Sequence, residues 1–190
     1  MGKSELRRCG APMNSGRSEK YFTQLPKYFF VTGGKALSPV SALNAFDEAL
    51  MNAGIAQCNL VPVSSILPAD AVEVDYIPIT PGAIVFTIMA RADGGPGDTV
   101  SAGVAWAFGK GEDGVRYGFV VETYGNIPGA EIREDLEKKI LRMAAVRKMK
   151  VSNIRFRIES IDKVPEGMYG SVVAALIFVP VVDHGKVRMK

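Results

Sequence analysis

The chain has 190 residues, of which 47% are hydrophobic and 23% are charged, so it can form one domain with a substantial core. Its net charge of +3 is small and dispersed, unlike the basic patch of a nucleic-acid-binding protein. The longest apolar runs, such as residues 82–90, are about half as long as a membrane helix, and no signal-peptide core follows the basic N-terminus. The composition predicts a cytoplasmic globular protein that binds neither nucleic acid nor membrane.

The N-terminal third of the chain predicts a tail, a strand and a helix. Residues 1–22 are polar and without periodicity, so we expect a flexible tail. Residues 27–32 are rich in aromatic and β-branched side chains and predict a strand that ends at Gly33-Gly34. Ser38-Pro39 then predicts the start of a helix of about four turns, and Gly54 predicts its end.

Two stripes of side chains are predicted on this helix. The inward stripe repeats at steps of three and four residues and comprises Val40, Leu43, Phe46, Leu50 and Ala53. A second stripe carries Asn44, Asp47 and Met51, with Glu48 beside them. On its position alone, Asp47 is interpreted as a solvated carboxylate.

The rest of the chain alternates between strands and one further helix. Strands are predicted over residues 59–63, 82–91, 99–108, 117–124, 154–158 and 171–180. Several are apolar on both faces, which predicts burial between a second sheet and a helical layer, as in a layered α/β sandwich.

The second predicted helix spans residues 131–150 and is amphipathic. Its inward residues are Ile132, Leu136, Ile140 and Met143, and its ion pairs are Glu134–Lys138 and Asp135–Lys139. The basic residues 147–150 are expected to face water at the helix C-terminus rather than bind nucleic acid. We place the domain at residues 23–181 and a C-terminal tail at 182–190.

Rare residue types restrict the chemistry. The only histidine, His184, lies in the polar tail, which disfavours a serine hydrolase with a histidine base and a catalytic zinc site. Cys9 and Cys58 show no metal-binding or redox spacing and are expected to be reduced thiols. An enzyme with this sequence must use carboxylates, hydroxyls, backbone groups or a cofactor.

The strand at 59–63 leads into the adjacent serines Ser64 and Ser65. The hydroxyl of the second serine can attack the carbonyl carbon of the first, which is the start of a backbone self-cleavage. Serine pairs also arise by chance, and the alternative is a strand-to-loop junction where the hydroxyls bond nearby backbone groups.

Three segments together resemble the archaeal-type pyruvoyl-dependent arginine decarboxylases. They are residues 43–55, residues 59–68 with the serine pair, and residues 118–122 with Glu122, and the likeness covers residues 27–180. The resemblance implies a four-layer αββα sandwich and a homotrimer with active sites between subunits.

The resemblance also implies that the chain cuts itself into residues 1–64 and 65–190. Ser65 attacks the Ser64 carbonyl, and the Ser65 residue becomes a pyruvoyl group, so neither pyridoxal phosphate nor a metal is expected. A pyruvoyl group serves as the electron sink for decarboxylation, after which a protein acid must protonate the carbon.

The resemblance implies a role for each site residue. Glu122 is the acid, a role that suits a carboxyl whose pKa is raised by apolar surroundings. Asn59 lies near the scissile bond and can donate to the oxyanion, Asp47 receives the substrate guanidinium, and Ser64 stays beside the substrate. The alternatives are an exposed ion pair for Glu122 and a local backbone bond for Asn59.

The predicted function is conversion of L-arginine to agmatine and CO2, a polyamine-precursor step. Two alternatives remain at this point: the same chemistry on another cationic amino acid, or an unprocessed α/β oligomer that binds a small ligand without catalysis.

Overall fold

The computed structural model describes residues 25–179, which form a mixed α/β fold of two helices and two sheets. The helices are α1 (Ala42–Asn52) and α2 (Gly129–Val146). The strands are β1 (Tyr28–Ser38), β2 (Asn59–Pro62), β3 (Ile66–Leu67), β4 (Val72–Glu73), β5 (Ile84–Gly94), β6 (Val100–Gly111), β7 (Arg116–Gly125), β8 (Met149–Ile161) and β9 (Tyr169–Phe178). The predicted tails 1–22 and 182–190, with Cys9 and His184, lie outside the described residues.

The strands form a five-stranded sheet in the order β2-β5-β9-β1-β4 and a four-stranded sheet in the order β3-β7-β6-β8. The long neighbours are antiparallel, whereas the short edge strands β2 and β4 run parallel to β5 and β1. The predicted strands after residue 58 are confirmed, with shifted ends. Strands β3 and β4 were not predicted, because two residues are too few to show a periodic pattern.

The two sheets pack against each other, and each helix packs on one sheet. One shared core cluster contains Phe29 and Leu176 from the five-stranded sheet and Trp106 and Val120 from the four-stranded sheet. Helix α1 contacts β1 and β9, and α2 contacts β6, β7 and β8. The prediction that strands apolar on both faces are buried on both sides is confirmed for β6 and β9. It is wrong for the first part of β5, where Ile84 and Phe86 are exposed.

Strand β1 does not end at Gly33-Gly34 but continues through it to Ser38, so the predicted boundary is wrong. The glycines serve close packing instead of a turn. A Cβ on Gly34 would lie 2.2 Å from the Ala49 carbonyl oxygen of α1, and Arg157 Nη2 donates to the Gly33 carbonyl oxygen on the other face at 3.3 Å. The pair lets α1 lie directly on the β1 backbone.

Helix α1 is shorter than predicted and turned differently. It begins after Ser41, whose hydroxyl accepts from the Asn44 N–H at 3.2 Å, because Ser38 is already the buried end of β1. Val40 and Leu43, predicted to face inward, are 69% and 70% exposed, while Ala45 and Ala49 are buried. The small alanines allow the helix to approach β1 closely, and the predicted inward stripe is wrong at its N-terminal end.

The remaining predictions for α1 and α2 are largely confirmed. Gly54 ends α1 in the left-handed region, with φ of 77°. The inward face of α2 buries Ile132, Leu136 and Ile140, with Met143 partly buried. The helix stops at Val146, earlier than predicted, because Lys148 takes φ of 51° and β8 starts at Met149.

The predicted α2 ion pairs are both present, at 3.7 Å for Lys138–Glu134 and 2.8 Å for Lys139–Asp135. Within residues 25–179, neither helix has the combination of length and apolar character that a membrane crossing requires.

One ion pair and one side-chain hydrogen bond join the sheets at the edge formed by β4 and β8. The Glu73 carboxylate, 9% exposed, accepts from Arg155 Nη1 at 2.6 Å and from Arg155 Nη2 at 3.1 Å. Trp106 Nε1 also donates to it at 3.1 Å. This bidentate pair connects an edge strand of one sheet to two strands of the other.

The close contact at Gly34 gives a stability prediction. In a Ser65→Ala chain, used so that the predicted self-cleavage cannot interfere, we expect Gly34→Ala to lower the free energy of unfolding by about 3 kcal/mol or more, because backbone atoms of α1 must move. Urea denaturation measures this. Gly95→Ala is the control, since a Cβ at Gly95 meets nothing within 4 Å, and it should change stability by less than about 0.5 kcal/mol. Equal effects of the two substitutions would contradict the packing argument.

Candidate active site

The serine pair lies where the chain crosses from one sheet to the other. Strand β2 is an edge of the five-stranded sheet, β3 is an edge of the four-stranded sheet, and residues 63–65 connect them. Ser64 is exposed and Ser65 is half-buried. The peptide bond between them is therefore held in a short span whose two ends belong to different sheets.

Backbone hydrogen bonds hold this span on both sides. The Val63 N–H donates to the Thr87 carbonyl oxygen of β5 at 3.0 Å, and the Val120 N–H of β7 donates to the Ser65 carbonyl oxygen at 2.9 Å. The Ile66 N–H donates to the Ser64 carbonyl oxygen at 3.0 Å. This last bond spans three residues and makes a γ-turn centred on Ser65.

Glu122 shares a pocket with Ser65. It lies on β7, two residues after the Val120 that pairs with Ser65, and the pocket has a volume of about 490 Å³. The other lining residues come from β7 and α2 and are Val121, Lys138, Lys139, Arg142 and Met143. The structure therefore brings Ser65 and Glu122 to one cavity with a cationic wall.

The Glu122 carboxyl is subject to two opposing effects. Glu122 is exposed, as its alternative interpretation supposed, but partial desolvation of its carboxyl raises its pKa above the ordinary value, while the Lys139 ammonium lowers it. The rise is the direction that a proton donor near neutral pH requires.

Lys139 is itself held in place by a hydrogen-bond network. Its Nζ donates to Thr123 Oγ1 at 2.7 Å and to the Glu122 backbone carbonyl oxygen at 3.2 Å, and it pairs with Asp135 Oδ2 at 2.8 Å. The hydrogen bonds from Lys139 and then from Thr123 lower the pKa of Asp135, which stays ionised. The sequence predicted the Asp135–Lys139 pair, but only the packing of α2 on β7 places it beside Glu122.

A second pocket opens on the other side of the serine pair. Its volume is about 400 Å³, and Ser64 is among its lining residues. The rest of the lining is mostly apolar: Leu25, Pro26, Val63, Ile66, Leu67, Pro68, Phe86, Tyr117 and Phe178. Ser64 and Ser65 thus face two different cavities.

Asn59 lies at the far end of β2 from the serine pair. With a rise of about 3.3 Å per residue in an extended strand, the Cα atoms of Asn59 and Val63 are about 13 Å apart. The Asn59 side-chain amide donates to the Gly82 carbonyl oxygen at 3.0 Å, which is the local backbone bond considered as its alternative. Among the described residues, nothing joins Asn59 to the serine pair of its own chain.

Asp47 also lies apart from Ser65 and Glu122. It is exposed on α1, in the stripe with Asn44 and Met51 that the sequence predicted, and it lines neither of the two pockets. Within one protomer, the structure therefore brings Ser65 and Glu122 to one pocket, places Ser64 at the other pocket, and leaves Asp47 and Asn59 outside both.

The position of Lys139 predicts how Glu122 titrates. In an uncleaved Ser65→Ala chain, Lys139→Met should raise the pKa of Glu122 further, because a positive charge that favours the ionised carboxylate is removed. Glu122 would then keep its proton to higher pH, which a carbon-13 NMR titration of the glutamate carboxyls measures. Lys138→Met is the control and should have the smaller effect, since that ammonium faces Glu134. An unchanged or lowered Glu122 pKa in Lys139→Met would refute the coupling.

Comparison with known proteins identifies the family of this chain. A family model described as pyruvoyl-dependent arginine decarboxylase matches residues 28–183. The chain is 33% identical to the pyruvoyl-dependent arginine decarboxylase of Methanopyrus kandleri over 154 residues, covering 81% of this chain and 97% of that protein. It is also 33% identical to the pyruvoyl-dependent arginine decarboxylase of Methanothermobacter thermautotrophicus, covering 78% and 93%. For the one from Methanocella arvoryzae, identity is 32%, covering 82% and 96%. The chain belongs to the pyruvoyl-dependent arginine decarboxylase family.

Proposed function

We propose that this protein is a self-processing decarboxylase that converts L-arginine to agmatine and CO2. The observation that carries the proposal is the shared pocket of Ser65 and Glu122, next to a serine pair held between two sheets. The family match over residues 28–183 supports the substrate and the reaction.

Self-cleavage would use the atoms of the serine pair and one water molecule. Ser65 Oγ gives up its proton and bonds to the Ser64 carbonyl carbon, the C–N bond breaks, and the nitrogen takes up a proton, which leaves an ester. Loss of the Ser65 α-proton and cleavage of the Cβ–Oγ bond then release a carboxylate at Ser64 and leave dehydroalanine at position 65. Tautomerisation and hydrolysis give a ketone and ammonia. The products are residues 1–64 and 65–190, cut within the domain that we place at residues 23–181.

The site fits a small ketone at position 65. Ser65 is half-buried at a pocket, and Glu122 lines that pocket with a raised pKa, so it can hold a proton there. A pyruvoyl group at this position would supply the electron sink for loss of CO2. Lys139 donates to the Glu122 backbone carbonyl oxygen and so holds that residue in position, and its charge limits the rise of the pKa of the Glu122 carboxyl. The chemistry calls on neither pyridoxal phosphate nor a metal.

We infer further that the protomer is a four-layer αββα sandwich and assembles as a homotrimer with its sites between subunits. Exposed apolar side chains surround the serine pair and flank Asp47, which marks surfaces for association. The first group is Val61, Val63, Ile66, Ile84 and Phe86, and the second is Val40, Leu43 and Met51. Asp47 and Asn59 lie outside both pockets of their own protomer, so a role for them at the site requires a neighbouring subunit.

Asp47 is proposed to bind the substrate guanidinium across that subunit boundary. A carboxylate can accept two parallel hydrogen bonds from a guanidinium, which favours arginine over a lysine or ornithine ammonium. Asn59 lies on β2, at the edge of the five-stranded sheet on which α1 packs. It is proposed to approach the serine pair of a neighbouring subunit, where its amide can donate to the oxyanion.

The cellular setting follows from the same chemistry. Agmatine is a polyamine precursor, so we place the protein in the cytoplasm.

Cys58, the cysteine in the part of the chain that the structure covers, is a free thiol whose Sγ donates to the Ile55 carbonyl oxygen at 3.1 Å. Burial raises the pKa of this thiol, which favours an unreactive protonated side chain.

Cleavage is a direct test of the proposed function. Purified wild-type protein should resolve by denaturing gel and intact mass into residues 1–64 and 65–190, while Ser65→Ala should remain one chain because the attacking hydroxyl is gone. Ser101→Ala is the matched control, since Ser101 is a buried serine of the interior strand β6 that lines neither pocket, and this chain should still be cut. A wild-type chain that stays intact after prolonged incubation would refute the self-processing decarboxylase and favour the alternative, an unprocessed oligomer that binds a small ligand without catalysis.

A complementation experiment tests Asp47 and the site between subunits. Asp47→Ala should reduce kcat/KM for arginine by about 100-fold or more, the scale of a lost charged hydrogen-bond pair. Glu48→Ala, which removes the adjacent exposed carboxylate, should leave it nearly unchanged. Co-expression of Asp47→Ala with Ser65→Ala should restore part of the activity, because in one of the two mixed interfaces of a trimer an intact Asp47 meets an intact Ser65. An arginine preference over lysine and ornithine that survives in Asp47→Ala, or a failure of the mixture to regain activity, would count against this arrangement.

A further inference from the structure

Two backbone N–H groups point at the two carbonyl oxygens that must carry negative charge during self-cleavage. The Ile66 N–H donates to the Ser64 carbonyl oxygen at 3.0 Å, and the Val120 N–H donates to the Ser65 carbonyl oxygen at 2.9 Å. Both distances are those of well-formed N–H···O hydrogen bonds. Neither donor is a side chain, so residue types alone do not reveal them.

We propose that the Ile66 and Val120 N–H groups stabilise, in succession, the oxyanion of the acyl shift and the enolate of the elimination. This inference rests on the self-cleavage under the proposed function and assigns each of its two steps a donor.

The first assignment concerns the Ser64 carbonyl. When Ser65 Oγ bonds to the Ser64 carbon, the negative charge develops on the oxygen that already accepts from Ile66. A donor in place before the reaction needs no reorganisation as the charge grows. The γ-turn holds donor and acceptor within three residues, so the nucleophile at its centre and the oxyanion donor are fixed relative to each other.

The Ile66 N–H is free for this task because the sheet does not use it. Ile66 is paired with Phe119 across β3 and β7, and the bond from Val120 to Ser65 identifies this as a non-hydrogen-bonded pair of an antiparallel ladder. In such a pair the N–H points away from the neighbouring strand. Here it points back along the chain to Ser64.

The second assignment concerns the Ser65 carbonyl. When the Ser65 α-proton leaves, the electron pair delocalises onto the adjacent carbonyl oxygen before the Cβ–Oγ bond breaks. That oxygen accepts from Val120, whose N–H is held by the β7 backbone inside the shared core. Glu122, two residues further along β7, lines the pocket of Ser65 and is placed to exchange protons there.

The side-chain donor expected from the family resemblance, Asn59, does not reach the Ser64 carbonyl within the protomer. The Asn59 amide is bonded to the Gly82 carbonyl oxygen, at the far end of β2. The backbone donors therefore belong to each chain by itself, whereas a contribution from Asn59 would have to come from a neighbouring subunit.

Treatment with hydroxylamine tests the two assignments separately, because it reports whether the acyl shift has taken place. Hydroxylamine cleaves an ester but not a peptide bond, so it cuts any chain that has completed the acyl shift and leaves a serine, not a ketone, at the new N-terminus. Intact mass distinguishes these products. The readout is cleavage of the chain and does not depend on decarboxylase activity.

For the first step, Ile66→Pro removes the N–H without removing a ladder bond, and an ester bond in place of the 65–66 amide removes it without the proline ring. We expect both chains to be cut about 100-fold more slowly than wild type, the scale of one lost oxyanion donor. Hydroxylamine should not accelerate cutting before Ser65 in either chain, because the acyl-shift ester never accumulates. It also cuts the engineered 65–66 ester directly, and intact mass distinguishes those fragments. Ile66→Val keeps the N–H and should be cut at the wild-type rate.

For the second step, an α-hydroxy analogue of valine at position 120 replaces the N–H with an oxygen. This chain should accumulate the acyl-shift ester, and hydroxylamine should then cut it before Ser65 to give an N-terminal serine. Intact mass separates this cut from direct cleavage of the engineered 119–120 ester. Circular dichroism and thermal unfolding of each uncut chain show that it retains the fold.

The outcomes distinguish this inference from the proposed function. A wild-type chain that is not cut refutes both. A wild-type chain that is cut while the Ile66 variants are cut at the same rate refutes the first assignment alone. Hydroxylamine cleavage before Ser65 in the Ile66 variants, or its absence at that position in the position-120 variant, would show that the donors do not serve the steps assigned to them.

Discussion

The packing of the two sheets against each other is the constraint on which the serine site depends. At one edge of the packed pair the chain itself crosses between sheets, through Ser64 and Ser65. At the opposite edge Glu73 is joined to Arg155, and nearby Arg157 reaches the Gly33 carbonyl oxygen. The serine pair is thus a short bridge between two sheets that are already held together elsewhere, and its conformation is set by both.

This arrangement explains how a backbone could be cut without loss of the fold. Strand β1 would belong to the N-terminal fragment, yet it lies inside the five-stranded sheet and pairs with β9 from Phe29 to Ser38. Helix α1 packs on the same strands, with Gly34 allowing the close approach. The non-covalent contacts that would hold the two fragments together are therefore extensive, and the crossing at the edge is the place where a break disturbs them least.

The same packing sets the electrostatics of the site. Burial raises the pKa of Glu122, which opposes folding above that pKa because the unfolded chain ionises more readily. Lys139 reduces this penalty and is itself held by Asp135 and Thr123. A carboxyl suited to hold a proton thus coexists with a nearby fixed charge, a combination that is common at functional sites.

Sequence patterns predicted those features that depend on neighbours along the chain. The apolar strands, the inward face of α2, its i,i+4 ion pairs and the stop at Gly54 each arise from local spacing, and they are confirmed. Local rules failed where a distant element decided the outcome. Gly33-Gly34 was predicted to end a strand because glycine pairs often do so. The strand continues instead, and the missing Cβ of Gly34 leaves room for the α1 backbone to pack on β1. Leu43 fitted an inward stripe, but Ala45 and Ala49 allow the closer helix contact.

The residue types of the site were determined by the sequence itself: a serine pair after a strand, a glutamate in an apolar strand, and no histidine before the C-terminal tail. The tertiary structure decided which of them meet. It joined Ser65 to Glu122 because β3 pairs with β7, left Asp47 and Asn59 outside that pocket, and added Lys139 from α2. It also supplied the Ile66 and Val120 donors. The physical reason is that hydrogen-bond direction and burial depend on strand pairing and helix packing between segments far apart in the chain.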